Sequence, residues 1–396
     1  MLEAYLFRIK DGNLPIKKME KQEVLEKFEK HFSGIQDTRK KQGKLHELRS
    51  ILIISVLGVI CGADEFVEIE EFGKSKIDFL STFLNLKHGI PSHDTFGRVF
   101  SIICPDKFRK CFIAWVNDLR TISNDIVNID GKALRHSFDT ATEKSMIYMV
   151  SAWANKNNMV LGQIKVEDKS NEITAIPKLL KLLDLAGCVV TIDAMGTQTA
   201  IAEEIIEQGA DYVLALKGNQ STLQEEVIES FEKLGAKSNS EVNTQVQDNH
   251  GRIEERNCYV VSAKDYLSPD VLKKWKSLTS IIKIEAYTTY KNGKNKGKQT
   301  YEERYYISSL VQDAQKINLT VQAHWGIETK LHWVLDVAFR EDDSRVRKGH
   351  ADENLSIVRH IAINKLKNEH SCKRGIKAKR KKAGWDNQYL LDILAA

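Results

Sequence analysis

Apolar residues recur at helical spacing through residues 20–118, then give way to short β-branched runs from about residue 125. The segments 45–61 and 69–86 carry the helical pattern. GIPSHDTFGRVFSII predicts a further helix starting near Ser92, an N-cap residue placed just before Asp94, Thr95 and Phe96. PDKFRKCFIAWVNDL predicts another amphipathic helix. These helices form a small N-terminal domain, expected over residues 1–120.

Beyond it, NDIVNIDGKAL is a β-branched run with Asp130 at the end of its apolar part. MIYMVSAWAN and VLGQIKVED follow and predict a hairpin or meander. EITAIPKLLKLLDLAG predicts a helix closing at Gly187, CVVTIDAMG a buried strand ending at Asp193, GTQTAIAEEIIEQGA a helix, and DYVLALKGN a strand. Three strands followed by helix, strand, helix and strand predict an α/β fold with a mixed sheet. Residues 252–310 read as a β-rich insertion, with KNGKNKGK as the turn between its last two strands. The chain returns to helix over 318–367. The expected organisation is thus an α/β domain over 121–367, with its insertion at about 245–312, and a basic tail over 368–396.

A chain of 396 residues with 42% hydrophobic content has material for two or three packed domains. That composition excludes a disordered or collagen-like protein. The longest apolar run, ILIISVLGVIC, falls short of the ~20 residues of a membrane span. The N-terminus lacks the charged start and apolar stretch of a secretion signal, so a cytoplasmic protein is expected. The six cysteines show no CxxC spacing, which argues against a zinc ribbon or redox motif. The net charge is only +5, but its distribution is uneven. KRGIKAKRKK, at 373–382, holds seven basic residues and no acid, and includes Lys379, Arg380, Lys381 and Lys382. RKKQGKLHELR begins a second patch with Arg39, Lys40 and Lys41. Such clusters suit phosphate neutralisation, although a solvated surface gives the same composition.

Asp130 and Asp193 each end an apolar run, IVNID and VVTID. Ligands of α/β sheets gather at the carboxyl ends of strands, so two such Asp residues can converge on one point. Hard divalent cations take oxygen ligands, and Glu328, in HWGIETKLHW, offers a third carboxylate from a helix. Taken singly, each Asp also reads as a turn or cap residue, and Glu328 as a surface residue beside a buried stripe. A P-loop is excluded because Glu68 stands where the first glycine before Gly73-Lys74-Ser75 is required. No strand leads into GxGxxG, so a dinucleotide site is excluded as well. A site built of carboxylates and two cations suits phosphodiester cleavage or transfer, without a covalent enzyme intermediate.

The blocks IDGKALRHS, VVTIDAMGTQ with LALKGNQ, and HWGIETKLHWVLDVAFREDDSRVRKGHADENLSIVRHIAINKLK resemble the H-repeat-associated family of bacterial insertion-sequence DDE transposases. GVICGADEFVEIEEFGKSKIDFL and GIPSHDTFGRVF resemble that family's N-terminal associated domain. The resemblance runs from about residue 30 to the end. It implies an RNase-H-like catalytic domain with a β insertion before the Glu. It further implies that Asp130, Asp193 and Glu328 hold Mg²⁺, with Mn²⁺ as a substitute, and that double-stranded DNA is the substrate of a homo-oligomer. Related enzymes carry Tyr-x2-Arg-x3-Glu-x6-Lys around the Glu; here those positions hold Val321, His324, Glu328 and Leu335, so only the Glu is kept.

His324, Lys330 or Arg340 are the candidates to replace the missing DNA contacts. Trp325 is expected mainly as a core residue, with stacking on a displaced base as the sharper reading. Lys132, Arg135, Lys217 and Asn219 are further candidates for phosphate contact. Asp336 and Asp342 are read as solvated or supporting residues, and His250-Gly251-Arg252 as a turn. The resulting expectation is a DNA transposase that nicks element ends and joins the 3′-OH to target DNA. A metal-dependent nuclease without strand transfer, and a domesticated DNA-binding protein, remain open alternatives.

Overall fold

The computed structural model describes residues 21–40, 44–119, 123–138, 145–167, 170–234, 240–249 and 251–396. Lys41 and His250, both singled out above, lie outside the described residues. The chain divides into two compact units, one of Met1–Asp118, Leu134–Ile147 and Trp333–Ala396, the other of Leu119–Ala133 and Tyr148–His332.

The first unit opens with α1 (Lys21–Phe32), α2 (Leu48–Ile60), α3 (Phe66–Ser75), α4 (His93–Ile102) and α5 (Pro105–Leu119). Ser92 is the N-cap of α4, its Oγ accepting from Thr95 N–H at 3.4 Å. Helix α2 is apolar on every side and is buried from Ser50 to Ile60, as a helix without a polar face must be.

The second unit is built on strands β1 (Ile126–Leu134), β2 (Ile147–Ala154), β3 (Met159–Lys165), β4 (Val189–Ile192), β5 (Asp211–Leu216), β6 (Glu241–Asn249), β7 (Arg252–Ser262), β8 (Ser280–Tyr290) and β9 (Gln299–Ser308). They form one sheet in the order β3-β2-β1-β4-β5-β9-β8-β7-β6. The half β3-β2-β1-β4-β5, with β2 and β3 antiparallel and β1, β4 and β5 parallel, is the RNase-H-like α/β arrangement. The β-rich run does not stand apart from it. Strand β9 pairs antiparallel with β5, so the run prolongs the same sheet. Helices α6 (Glu172–Leu180), α7 (Thr199–Glu207) and α8 (Ser221–Leu234) connect the strands. Helix α6 stops at Leu180, short of the Gly187 stop read from the sequence.

Helix α9 (Ala314–Ile327) packs Ala314, Ile317 and Val321 against Val189, Val213, Val260 and Ile282 of the sheet. A single π-helical turn, Glu328–His332, follows it.

The chain then returns to the first unit as α10 (Trp333–Phe339), α11 (Ala351–Asn368), α12 (Ile376–Trp385) and α13 (Asn387–Ala395). The segment read as a basic tail is therefore two helices of a folded unit. Lys379 and Arg380, expected to face DNA, are buried. Lys379 Nζ donates to Leu366 O at 2.9 Å and pairs with Glu369 at 3.3 Å. The Arg380 guanidinium donates to Val59 O at 3.0 Å, Ala63 O at 3.1 Å and Asp64 Oδ1 at 2.8 Å, and also to Ala338 O. It joins Val59 O in the last turn of α2, which also accepts from Gly62 N–H at 3.3 Å, to Ala63 O just beyond the helix. Its planar fork offers five N–H donors in a fixed geometry, enough to serve all four acceptors at once.

Removing one partner of a buried charge network strands the other, at a cost of about 3–5 kcal/mol. Arg380→Ala should lower the unfolding free energy from urea titration by an amount of that size. Lys381→Ala, at an exposed neighbour, should change it by no more than about 0.5 kcal/mol. Equal effects of the two substitutions would contradict the assignment of Arg380 as an internal staple.

A candidate metal centre on the sheet

Asp130 and Asp193 are delivered by adjacent parallel strands. Their register pairs Asn128 with Thr191 and Ile129 with Ile192, so the next residue on each strand is an aspartate. Neighbouring strands lie about 4.8 Å apart. Side chains alternate, so Asn128, Asp130, Thr191 and Asp193 share one face while Val127, Ile129, Val190 and Ile192 take the other. The shared face is polar for a reason. Asn128 Nδ2 donates to Thr191 Oγ1 at 2.7 Å, and Thr191 Oγ1 lies 2.9 Å from His324 Nδ1 of α9. The Thr191 hydroxyl thus accepts from Asn128 and bridges it to the His324 ring. Burial lowers the His324 pKa below its usual value, with Asp193 opposing. This chain of bonds pins α9 over the strand ends.

The π turn decides what arrives there. Four residues of α-helix overshoot one turn, whereas four residues of the wider π turn undershoot it. Glu328 and His332 are thereby kept on the side of the helix that His324 occupies. His332 Nδ1 lies 3.3 Å from Glu328 Oε2 and 3.4 Å from Asp130 Oδ2. One ligand atom each of Asp130, Glu328 and His332 falls within 4.8 Å of the others. His332 is buried, while the Glu328 side chain is 62% exposed, so the cluster opens to solvent on the Glu328 side. Asn155 steadies the helix, its Nδ2 donating to Ala323 O at 2.9 Å while its Oδ1 accepts from Lys330 Nζ at 2.8 Å.

Asp193 is fixed separately. Its Oδ1 accepts from Gly196 N–H at 3.3 Å across a 3₁₀ turn. Asn219 Nδ2 donates to Ala194 O at 2.7 Å, Gln220 Nε2 to Thr197 O at 3.0 Å, and Thr197 Oγ1 to Ala215 O at 2.6 Å. The loop that follows Asp193 is thus tied to the end of β5. Asn219, taken from the sequence as a DNA contact, has its amide committed to this tether.

A fourth carboxylate completes the group. Glu172, in the first turn of α6, lies so close to Gly131 that a Cβ there would be 2.0 Å from Glu172 Oε1. A side chain at position 131 would therefore push the Glu172 carboxylate away from this place. The Asp130 carboxyl is pushed from 3.8 up to about 7 by burial first, then by Glu328, with the Gly131 N–H opposing and Asp193 and Glu172 adding to the rise. Burial and then Asp193 raise Glu172 as well. Clustered carboxylates of this kind fit a hard divalent cation, which would favour their charged forms. Neither Glu172 nor His332 was singled out from the sequence. The i,i+4 spacing of Glu328 and His332 in ETKLH was the available signal for the second; Glu172 in NEITAIP carries none.

The other residues named from the sequence are scattered. Lys132 is half-buried on β1, two residues beyond Asp130, and Lys217 is exposed after β5. Arg135 is exposed with Nε 3.2 Å from Asp342 Oδ2. Trp325 is not a core residue: it is 50% exposed, with the Arg304 guanidinium 4.9 Å from its ring centroid. Its indole points away from the stripe formed by Val321 and Ile327. Val321 and Leu335, at the altered signature positions, are buried apolar residues. Arg39 is turned onto Asp37 at 2.9 Å and donates to His46 O at 2.8 Å, while Lys40 is exposed. Lys381 is exposed, and Lys382 Nζ sits 3.9 Å from the centroid of the Tyr389 ring.

The sequence matches the family model "Transposase DDE domain" over residues 122–365 and "DDE_Tnp_1-associated" over 29–116. It is 41% identical to the "H repeat-associated putative transposase YhhI" of Escherichia coli K12, over 94% of this chain and 98% of that one. It is 43% identical to the "Putative transposase YncI" of Escherichia coli O157:H7, over 92% of this chain and 94% of that one. Among solved structures it is similar to a piggyBac transposase synaptic complex with hairpin DNA, at 12% identity and a TM-score of 0.43, over 91% of this chain and 79% of that one.

The raised Asp130 pKa has a defined consequence for the metal-free protein. Between 3.8 and about 7 the folded state holds a proton on Asp130 that the unfolded state has released. Stability from this group therefore falls as pH rises through that window, and is lowest above it. Asp130→Asn should be more stable than the parent at pH 8 in chelator, on the order of 1–3 kcal/mol, with the gap closing at pH 4. Urea midpoints at the two pH values measure this; a gap that does not change with pH would contradict it.

Proposed function

The chain belongs to the H-repeat-associated transposases, within the transposase DDE-domain family, and on that premise we propose that it nicks the ends of a DNA element and joins the freed 3′-OH to target DNA. The observation that carries this reading is the meeting of Asp130 with Glu328 on one side, while Asp193 leaves the neighbouring strand on the other.

Asp130, Asp193 and Glu328 would hold a pair of divalent cations, Mg²⁺ with Mn²⁺ as substitute. When bound, the ions supply activation of water or of a 3′-hydroxyl and stabilisation of the leaving oxygen in an in-line displacement. Asp130 has the central position, with the carboxylates of Glu328, Asp193 and Glu172, on three other elements, acting on it. The tethered loop after β4 holds Asp193 still, and the bonded chain Asn128–Thr191–His324 holds α9, so the ligand set is preorganised by rigid elements. The exposed side of Glu328 leaves room for a phosphodiester to approach. Lys40, Arg135, Lys217, Lys330 and Lys381 are exposed cations suited to backbone phosphates. Joining two element ends calls for at least two copies on DNA, and DNA in the nucleoid is the expected place of action.

The test is a cleavage and joining assay on the element's own end DNA. The parent protein should nick that DNA with Mg²⁺ and join the 3′-OH to a target duplex. Outer-shell changes at metal sites cost 10–100-fold. Asp193→Asn and Glu328→Gln remove proposed ligands and should cost more than about 100-fold on that scale. Parent-like cleavage by folded Asp193→Asn overturns the reading. Nicking without joining selects the nuclease alternative. Steeply salt-dependent DNA binding without any cleavage selects the DNA-binding protein.

A further inference from the structure

We propose that His332 is itself a ligand in this centre, its Nδ1 joining Asp130 and Glu328 around one cation, which makes that position a mixed nitrogen–oxygen site favouring Mn²⁺ over Mg²⁺. The inference rests on the reading that Asp130 and Glu328 bind a cation, and assigns a residue to that same site.

The argument is geometric. Nδ1 of His332 stands at nearly equal distances, 3.3 and 3.4 Å, from oxygens of two carboxylates on different elements. An N–H···O bond is best near 2.9–3.0 Å, and one imidazole proton cannot serve two carboxylates well. Ligand atoms placed about 2.1 Å from one ion are separated by about 3.0–3.4 Å for octahedral to tetrahedral angles. The spacing is therefore longer than a good hydrogen bond and suits shared coordination.

The backbone supports the same assignment. A π turn in the middle of an otherwise α-helical segment costs regular hydrogen bonding and tends to mark functional sites. Here it runs from Glu328 to His332, the two residues whose side chains meet Asp130. His332 is 5% exposed, so its ring is held in the interior beside the two carboxylates.

Donor chemistry sets the preference. Mg²⁺ is bound almost entirely by oxygen; Mn²⁺ is also oxygen-preferring but, as a first-row transition ion, accepts an imidazole nitrogen more readily than Mg²⁺ does. Replacing one oxygen donor by Nδ1 lowers the relative affinity for Mg²⁺.

The test uses the full chain without DNA, with Mn²⁺ as the probe and pulsed EPR as the readout. The ¹⁴N coupling of a directly bound imidazole should appear in the parent protein and change to the ¹⁵N pattern when histidine is ¹⁵N-labelled. His332→Gln should lose the coupling and bind Mn²⁺ at least about 10-fold more weakly, while Mg²⁺ affinity falls less than about 3-fold. Absence of coupling in the parent spectrum overturns the role of His332 whether or not the variant folds, and coupling that persists in folded His332→Gln assigns the nitrogen to another histidine and overturns it as well. Mn²⁺ that binds in an Asp130-dependent manner but shows no nitrogen coupling overturns the role of His332 and leaves the carboxylate reading standing. Absence of Asp130-dependent Mn²⁺ binding overturns both.

Discussion

Like charge gathered on one face of a sheet is the constraint around which the second unit is organised. Asp130 is partly withdrawn from water beside Glu328, Asp193 and Glu172. In a medium of lowered dielectric, such a group cannot hold full charge unless a proton or a cation compensates it. The metal-free protein meets this by keeping Asp130 a weak acid near pH 7. A divalent cation is the alternative compensation, and the one that couples the cluster to chemistry.

The fold reaches this arrangement with few devices. Two parallel strands in register bring two aspartates level, and strand alternation turns both to the same side. A helix anchored by apolar contacts at Ile317 and Val321, and by the His324–Thr191 bond, carries the remaining groups over the strand ends. The wider turn after Ile327 swings Glu328 and His332 toward Asp130. The glycine at 131 lets Glu172 approach from the sheet's other connection. Each device is local, yet their product is one cluster assembled from residues 130 to 332.

In the first unit, basic residues perform two different tasks. Arg380 and Lys379 are internal fastenings that saturate carbonyl oxygens and pair with Asp64 and Glu369. Lys381, next in the chain, is exposed. Helical geometry separates them, since successive residues project about 100° apart and only one face of α12 is packed. A run of like charge in a sequence thus conceals which members belong to the interior and which meet a polyanion.

Much of this was legible in the residues alone. The change from helical spacing to β-branched runs, the N-cap at Ser92, and the strand-ending aspartates in IVNIDG and VVTIDA follow from local patterns. The resemblance carried by the blocks around Asp130, Asp193 and Glu328 named the family, which the matches over 29–116 and 122–365 show. What the sequence by itself determined is therefore the class of fold, the family and the acidic residues offered for chemistry, because each is written in short-range periodicity and motif. Tertiary structure decided the rest. It added Glu172 and His332 to the cluster, put Trp325 in solvent and Arg380 inside, and made the β-rich run a continuation of the main sheet. Those outcomes depend on strand register, helix packing and one turn of altered pitch, which bring together residues far apart in the chain and leave no periodic trace within it.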